Sequence, residues 1–269
     1  MRGASADALA VLTERLGQAA DGGADLARVA DDLFGVADVL RREPGLRRLA
    51  TDVSIRPEAK ADLVREVFGT TLDAASLDLV AVAAGRRWAA TRDLADALEH
   101  LGVVAVVRGA DQAGQGDALE ADLFGFARLV SGNPGLRDAL SDPARNREDK
   151  RALLHGLLDG KVTAFAVRLA DQALTGTHRT VVAAVESYQK VAADHRNRLV
   201  ATVRVARALG DQETQRLQGT LARQYGRPVH LNVVVDPHVM GGVKVEIGDD
   251  VIDGTVAGRL DDARRRLAG

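Results

Sequence analysis

The chain has 269 residues, enough for two or three domains that each bury a core. Apolar residues make up 46% and charged residues 28%, the balance of a folded globular chain, and with no cysteine the sequence excludes disulfides, thiolate metal centres and cysteine catalysis. The formal charge is −2, with 31 arginines and 5 lysines dispersed among 38 acids, so the basic surface of a nucleic-acid binder is not expected.

Aromatics are 3%, so the core must come from Leu, Val and Ala, a composition that favours close-packed helices. The opening stretch, Met1 to Gly17, mixes polar residues through its apolar ones and lacks the continuous apolar run of a signal peptide. No segment reaches the ~20 apolar residues of a membrane span. A soluble chain is expected, touching a membrane only through a partner. A first helix is predicted from Ala6 to Ala19, with Leu9, Leu12 and Leu16 along one side. Leu26, Val29, Leu33, Val36, Ala37 and Leu40 form the apolar stripe of a second helix, which stops near Pro44-Gly45. Arg56-Pro57-Glu58 opens a third, with Pro in its first turn and Leu63, Val64 and Val67 behind it. A further helix runs through Leu77, Val80 and Val82 to about Trp88, and another starts near Arg92-Asp93 with Leu94, Ala97, Leu98 and Leu101.

The pattern then returns. Asp32-Leu33-Phe34-Gly35 recurs as Asp122-Leu123-Phe124-Gly125, and Pro44-Gly45-Leu46-Arg47 as Pro134-Gly135-Leu136-Arg137, each 90 positions on. Without a gap, positions 32–64 and 122–154 share 13 of 33 residues, which reads as a duplicated helical unit. The second copy ends in a helix from about His178 to Arg196. Its leading helix is doubtful, because Val103 to Gly116 is Val-rich and then interrupted by Gly109, Gly114 and Gly116.

After residue 198 the texture changes. Leu199 to Val205 reads as a strand. Asp211 is expected to cap a helix with Leu217 and Leu221, ending at Tyr225-Gly226. Val229, Leu231, Val233 and Val235 alternate as a second strand, and Val243, Val245 and Ile247 as a third. Gly241-Gly242 between them suggests a hairpin turn needing positive φ. Asp249-Asp250 fall in a turn, and Val256, Leu260, Ala263 and Leu267 mark a last helix. The expected fold is mostly α: two tandem helical bundles, 1–107 and 108–197, followed by a small α+β domain, 198–269.

Reactive chemistry is not legible. The six histidines include no HExxH, and His230 with His238 is the nearest approach to a cluster, short of the three or four converging ligands zinc needs. Gly114-Gln115-Gly116 is an isolated GxG with Leu119 where a dinucleotide loop needs Gly, and no GxxxxGK[ST] or GxSxG occurs. The run Arg264-Arg265-Arg266 lies beside Asp261 and Asp262 and reads as a solvated helix face. No metal and no cofactor are expected. Amphipathic helices without a reactive centre describe an interaction protein.

The run Val229 to Val256 carries Asp236-Pro237, Gly241-Gly242 and Val251-Ile252-Asp253-Gly254-Thr255-Val256, then Arg259-Leu260. It closely resembles the signature of the F-type ATP synthase delta subunits, whose mitochondrial counterpart is the oligomycin-sensitivity-conferring protein (OSCP). Thr255 stands where the family has Ser, and Val203-Arg204-Val205-Ala206 departs from its usual Val-Thr-Ser-Ala. In this comparison Asp236, Gly241, Gly242, Asp253 and Gly254 form a structural signature turn, and the chain is longer than the usual member by about one repeat. Such lengthened members occur in some high-GC Gram-positive bacteria, which agrees with the bias of Arg over Lys. The resemblance implies a non-catalytic stator piece of the peripheral stalk. It would hold N-terminal helices of the alpha subunits in helical grooves and grip the b subunit with its C-terminal domain, as part of a hetero-oligomeric complex on the cytoplasmic face of the cell membrane. On the first copy the groove is expected from Leu9, Leu12 and Leu16 with Leu94, Leu98 and Leu101, against the plainer reading of those leucines as core. The second copy is the alternative site. A free-standing helical adaptor or regulator descended from the stator family, and an enzyme with an unrecognised site, are the rival functions.

Overall fold

The structure is a computed structural model, and it describes residues 1–196, 199–226, 228–237, 239, 241–247 and 250–255. The expected last helix, the arginine run and His238 lie outside the described residues. Two compact units divide the chain, Met1–Val191 and Ala192–Gly269.

The first unit is helical. Its elements are α1 (Ala4–Asp21), α2 (Leu26–Arg42), α3 (Pro44–Thr51), α4 (Pro57–Phe68), α5 (Ala74–Gly85), α6 (Asp93–Gln112), α7 (Gly116–Gly132), α8 (Pro134–Ser141), α9 (Arg147–Leu158) and α10 (Ala164–Ala173), with α11 (Val181–His195) after them. Local chemistry sets the starts. The Asp25 carboxylate accepts from the backbone N–H groups of Ala27 and Arg28 at 3.0 and 3.2 Å, and Asp73, Asn133, Asn146 and Thr163 cap their helices in the same way. Pro44 was expected only to end α2. It also opens α3 as its first residue, where the missing N–H costs nothing.

Adding 90 to the bounds of α2, α3 and α4 gives those of α7, α8 and α9, and the shifted ranges of α1, α5 and α6 overlap α6, α10 and α11. Each copy is a six-helix motif, and α6 serves as the last helix of one and the first of the other. The register holds at single bonds. Asp32 accepts from the Asp73 N–H at 2.9 Å and Asp122 from the Thr163 N–H at 2.7 Å, tying the second helix of each copy to the start of the fifth. Asp52 accepts from Ser54 N–H at 2.8 Å and Asp142 from Ala144 N–H at 2.9 Å, shaping the turn before α4 and before α9.

The doubtful segment is resolved by α6, which runs unbroken to Gln112. Every residue from Leu101 to Val107 is buried. A helix covered on all sides is apolar all round, and that burial overrides the strand preference of its valines. Gly109 does not interrupt it, because the missing side chain leaves space for Phe165 of α10 and Leu26 of α2. Residues 107 and 108 are neighbours on this helix.

The second unit contains β1 (Leu199–Val205), α12 (Asp211–Tyr225), β2 (Val229–Val235), β3 (Val243–Ile247) and β4 (Asp250–Asp253). The sheet order is β2-β1-β3-β4, with β1 parallel to β2 and antiparallel to β3. Ala201, Val203, Val205, Val229, Val245 and Ile247 meet Leu221 of α12 in the core. The cap of α12 is Gly210, whose N–H donates to Glu213 at 3.0 Å, so Asp211 is the first helical residue rather than the cap. Gly226 ends the helix at φ 66°.

The expected hairpin at Gly241-Gly242 is not one. Both glycines have positive φ, 66° and 81°, but β1 lies between β2 and β3, so the pair belongs to a connection crossing from one side of β1 to the other. Among the described residues the consecutive strands that pair antiparallel are β3 and β4, and Asp250, expected in a turn, is the first residue of β4. An added Cβ on Gly242 would overlap the backbone of Gly254 and lie 2.9 Å from Cα of Thr255. Gly242→Ala is therefore expected to destabilise this unit by about 3 kcal/mol, combining left-handed strain with a backbone clash. The same change at Gly23, also at positive φ but with open space, should cost about 1–2 kcal/mol; urea midpoints of the two variants compare them.

Candidate functional site

The six leucines expected to form a groove lie on α1 and α6, which pack together, but they do not share one surface. Leu12, Leu16, Leu98 and Leu101 are fully buried, Leu94 nearly so, and Leu9 is half-buried. Leu94 and Leu98 reach the floor of an apolar slot whose walls are Val36 and Leu40 of α2, Leu46 of α3, and Leu63, Val64 and Val67 of α4. Lys60 is the one charged residue lining that slot; burial pushes its ammonium below the usual lysine range, against the opposing pull of Asp52. Leu9 lines a different pocket, with His100 and Val103 of α6 and Tyr188 and Val191 of α11.

Beside that pocket α6 buries an acid, Glu99, only 4% exposed. It is paired with the Arg41 guanidinium of α2 and accepts from the Tyr188 hydroxyl at 2.9 Å and the Thr177 N–H at 3.0 Å. Arg41 also reaches Asp96 at 3.3 Å. Burial raises the Glu99 pKa, but the Arg41 charge and the donors outweigh it and hold the carboxyl below the ordinary glutamate range. Burial, and the Glu99 charge, push the Tyr188 phenol up in turn. Sequence reading passed over this residue. Its helix also carries Asp93, Asp96, His100, Arg108 and Asp111, so nothing in the local pattern set this acid apart.

Where α2 of the first copy faces α9 and α10 of the second, an open cleft of about 450 Å³ is lined by alternating charge. Arg168 holds Asp31 through two nitrogens of its fork at 2.8 and 3.2 Å, Arg147 holds Asp38 at 3.0 Å, and Arg151 holds Asp171 at 2.9 Å. His155 joins Asp171 at 3.0 Å, and this hydrogen bond raises the imidazole pKa, so the contact is complete below the ordinary histidine range and lost as pH rises through the raised value. With each guanidinium already matched by a carboxylate, the cleft carries no spare charge for a substrate.

The signature residues of the second unit shape the backbone. Asp236 N–H donates to Val205 O at 2.8 Å, and Gly254 N–H to Val243 O at 2.9 Å. The Asp253 carboxylate accepts from both the N–H and the hydroxyl of Thr255, at 2.9 and 2.6 Å. Among the described residues no helix is long and apolar enough to cross a membrane.

Comparison with known proteins follows this architecture. The model of the ATP synthase delta (OSCP) subunit family matches residues 103–267. A Nocardioides protein named ATP synthase subunit delta is 54% identical over 269 residues, spanning 100% of this chain and 98% of that one. Proteins of the same name from Streptomyces avermitilis and Thermobifida fusca are 44% and 37% identical, over 99% and 100% of this chain.

Proposed function

The chain belongs to the ATP synthase delta (OSCP) subunit family, a non-catalytic component of the peripheral stalk of F-type ATP synthase, and from that premise we propose how it makes the linkage. Its helical unit holds N-terminal helices of the alpha subunits at the top of the catalytic head, and its C-terminal unit grips the end of the b subunit. The pair works on the cytoplasmic face of the cell membrane, holding the head against the torque of the rotor. The observation that carries this reading is 54% identity to a delta subunit along the whole chain. Helix-in-groove burial of ~1,000 Å² or more is the physical means suited to such a load.

On this reading the alpha-binding groove lies on the first copy at Leu9, with Leu12, Leu16 and Leu101 in the core behind it, while Leu94 and Leu98 reach the separate slot beside α4. A second reading, favoured by the family match beginning at residue 103, puts it on the second copy. Titration calorimetry with an alpha N-terminal peptide separates the two. Leu9→Glu is expected to weaken binding about tenfold, equal to 1.4 kcal/mol, in a chain that keeps its melting temperature. Unchanged affinity in that variant, with loss in Val167→Glu on α10, transfers the groove to the second copy. A chain that captures neither the alpha peptide nor a b C-terminal segment overturns the linkage.

A further inference from the structure

The apolar slot of the first copy holds a charge that the fold leaves unanswered. Lys60 enters it from the first turn of α4 and is only 5% exposed, so its ammonium has not reached water as a surface lysine's does. Among the described residues it donates no hydrogen bond and joins no ion pair. Asp52 attracts it from beyond ion-pair reach, and that carboxylate is already occupied by the N–H and hydroxyl of Ser54, at 2.8 and 2.7 Å. The surface around the slot is apolar as well. Val67 at its edge is 48% exposed, Leu49 of α3 41%, and Val53 in the turn between α3 and α4 69%.

The repeat does not require this arrangement. Adding 90 carries Ala50 and Val64, which line the slot, to the larger Leu140 and Leu154, both buried. Leu49 and Val53 become Ala139 and Pro143, and Lys60 becomes Lys150, which is half-buried. The first copy thus has smaller side chains at two walls, a more aliphatic rim, and a lysine sunk further from water.

We propose that α3 and α4 of the first copy dock an aliphatic helix of another synthase subunit, one of whose acidic side chains enters the slot and pairs with Lys60. Charge chooses this occupant. An ammonium in apolar surroundings is costly until it is paired, and the missing partner is a carboxylate. Size excludes a free ligand. The enclosed space is about 30 Å³, whereas small-molecule sites hold about 300 Å³ or more, so the carboxylate arrives on a side chain of a segment laid across the rim. Aliphatic neighbours on that segment cover Leu49, Val53 and Val67. The surface is separate from the pocket at Leu9, and the proposal rests on the stator reading above.

The chain has no cysteine, so Val67→Cys gives a single thiol on the rim for maleimide labelling. In the full chain alone it should react at the rate of an exposed thiol. In synthase assembled with that chain it should react at least tenfold more slowly. Lys60→Met keeps the aliphatic stem and removes the charge. Added to Val67→Cys, it should leave the melting temperature of the isolated chain no lower and restore fast labelling in the synthase. Undiminished labelling of Val67→Cys in assembled synthase overturns the proposal and leaves the stator reading intact, as does protection that Lys60→Met fails to relieve. A lowered melting temperature in the double variant also overturns it, because Lys60 would then be answered within its own fold. Slow labelling of the isolated chain that dilution relieves overturns it in favour of a second copy of the same chain. If the chain does not enter the synthase at all, this inference falls together with the reading beneath it.

Discussion

Glu99→Ala is expected to destabilise the helical unit by about 3–5 kcal/mol, because it strands the Arg41 guanidinium in a buried site. At 2–4 °C per kcal/mol for a unit of this size, the melting temperature should fall by roughly 10 °C. The loss is not that of one contact. Arg41 would keep its longer contacts to Asp96, at 3.3 Å, and to the Ala95 carbonyl, at 3.5 Å, with its hydroxyl partner on Thr177, while the Tyr188 hydroxyl would lose its Glu99 acceptor. Replacing both partners by apolar residues, Arg41→Met with Glu99→Leu, should recover part of the loss. Acid should reproduce part of it in the unmutated chain. The Glu99 carboxyl titrates below its unfolded value, so its stabilisation is present above the ordinary glutamate range and disappears as pH falls through the depressed pKa. Urea midpoints between pH 7 and pH 3 should decline more steeply for the parent than for Glu99→Gln. Equal slopes would show that the buried pair carries no such linkage.

The second large effect comes from the repeated phenylalanine. Phe34→Ala removes a buried ring seated over Gly102 and should cost about 3–5 kcal/mol. Phe124→Ala removes a half-exposed ring and should cost about 1 kcal/mol. Urea denaturation of the two variants makes the comparison directly. Similar losses would mean that the Phe124 ring is packed as firmly as its counterpart.

Much of the helical unit was legible because its information is local. Pro57 sits at the start of a helix, the stripe from Leu26 to Leu40 recurs at helical spacing, and the 90-residue echo reappears as paired bonds from Asp32 and Asp122. What the sequence concealed depends on distant partners. The Val103–Val107 run resembles a strand until helices from both copies surround it. The Gly241-Gly242 pair announces positive φ but not which strands it joins, since β1 enters between them from nearly 40 residues upstream. Glu99 finds Arg41 and Tyr188 at separations of 58 and 89 residues, and no short-range pattern marks such a meeting. The leucines of the candidate groove show the same limit. Their spacing identifies an apolar side of α1 and α6, but only packing reveals that Leu12, Leu16, Leu98 and Leu101 have no exposed area while Leu9 retains some.

Because α6 is counted in both copies, lengthening the chain by a unit requires five further helices and not six; n copies would need 5n + 1, which gives eleven for two. An unequal genetic exchange anywhere within that helix would insert or excise 90 residues while preserving both the helical register and the junction, with no linker to invent. Growth by whole units is thus the cheapest change of length open to this lineage, whereas a half-unit would leave a helix with no mate to bury it.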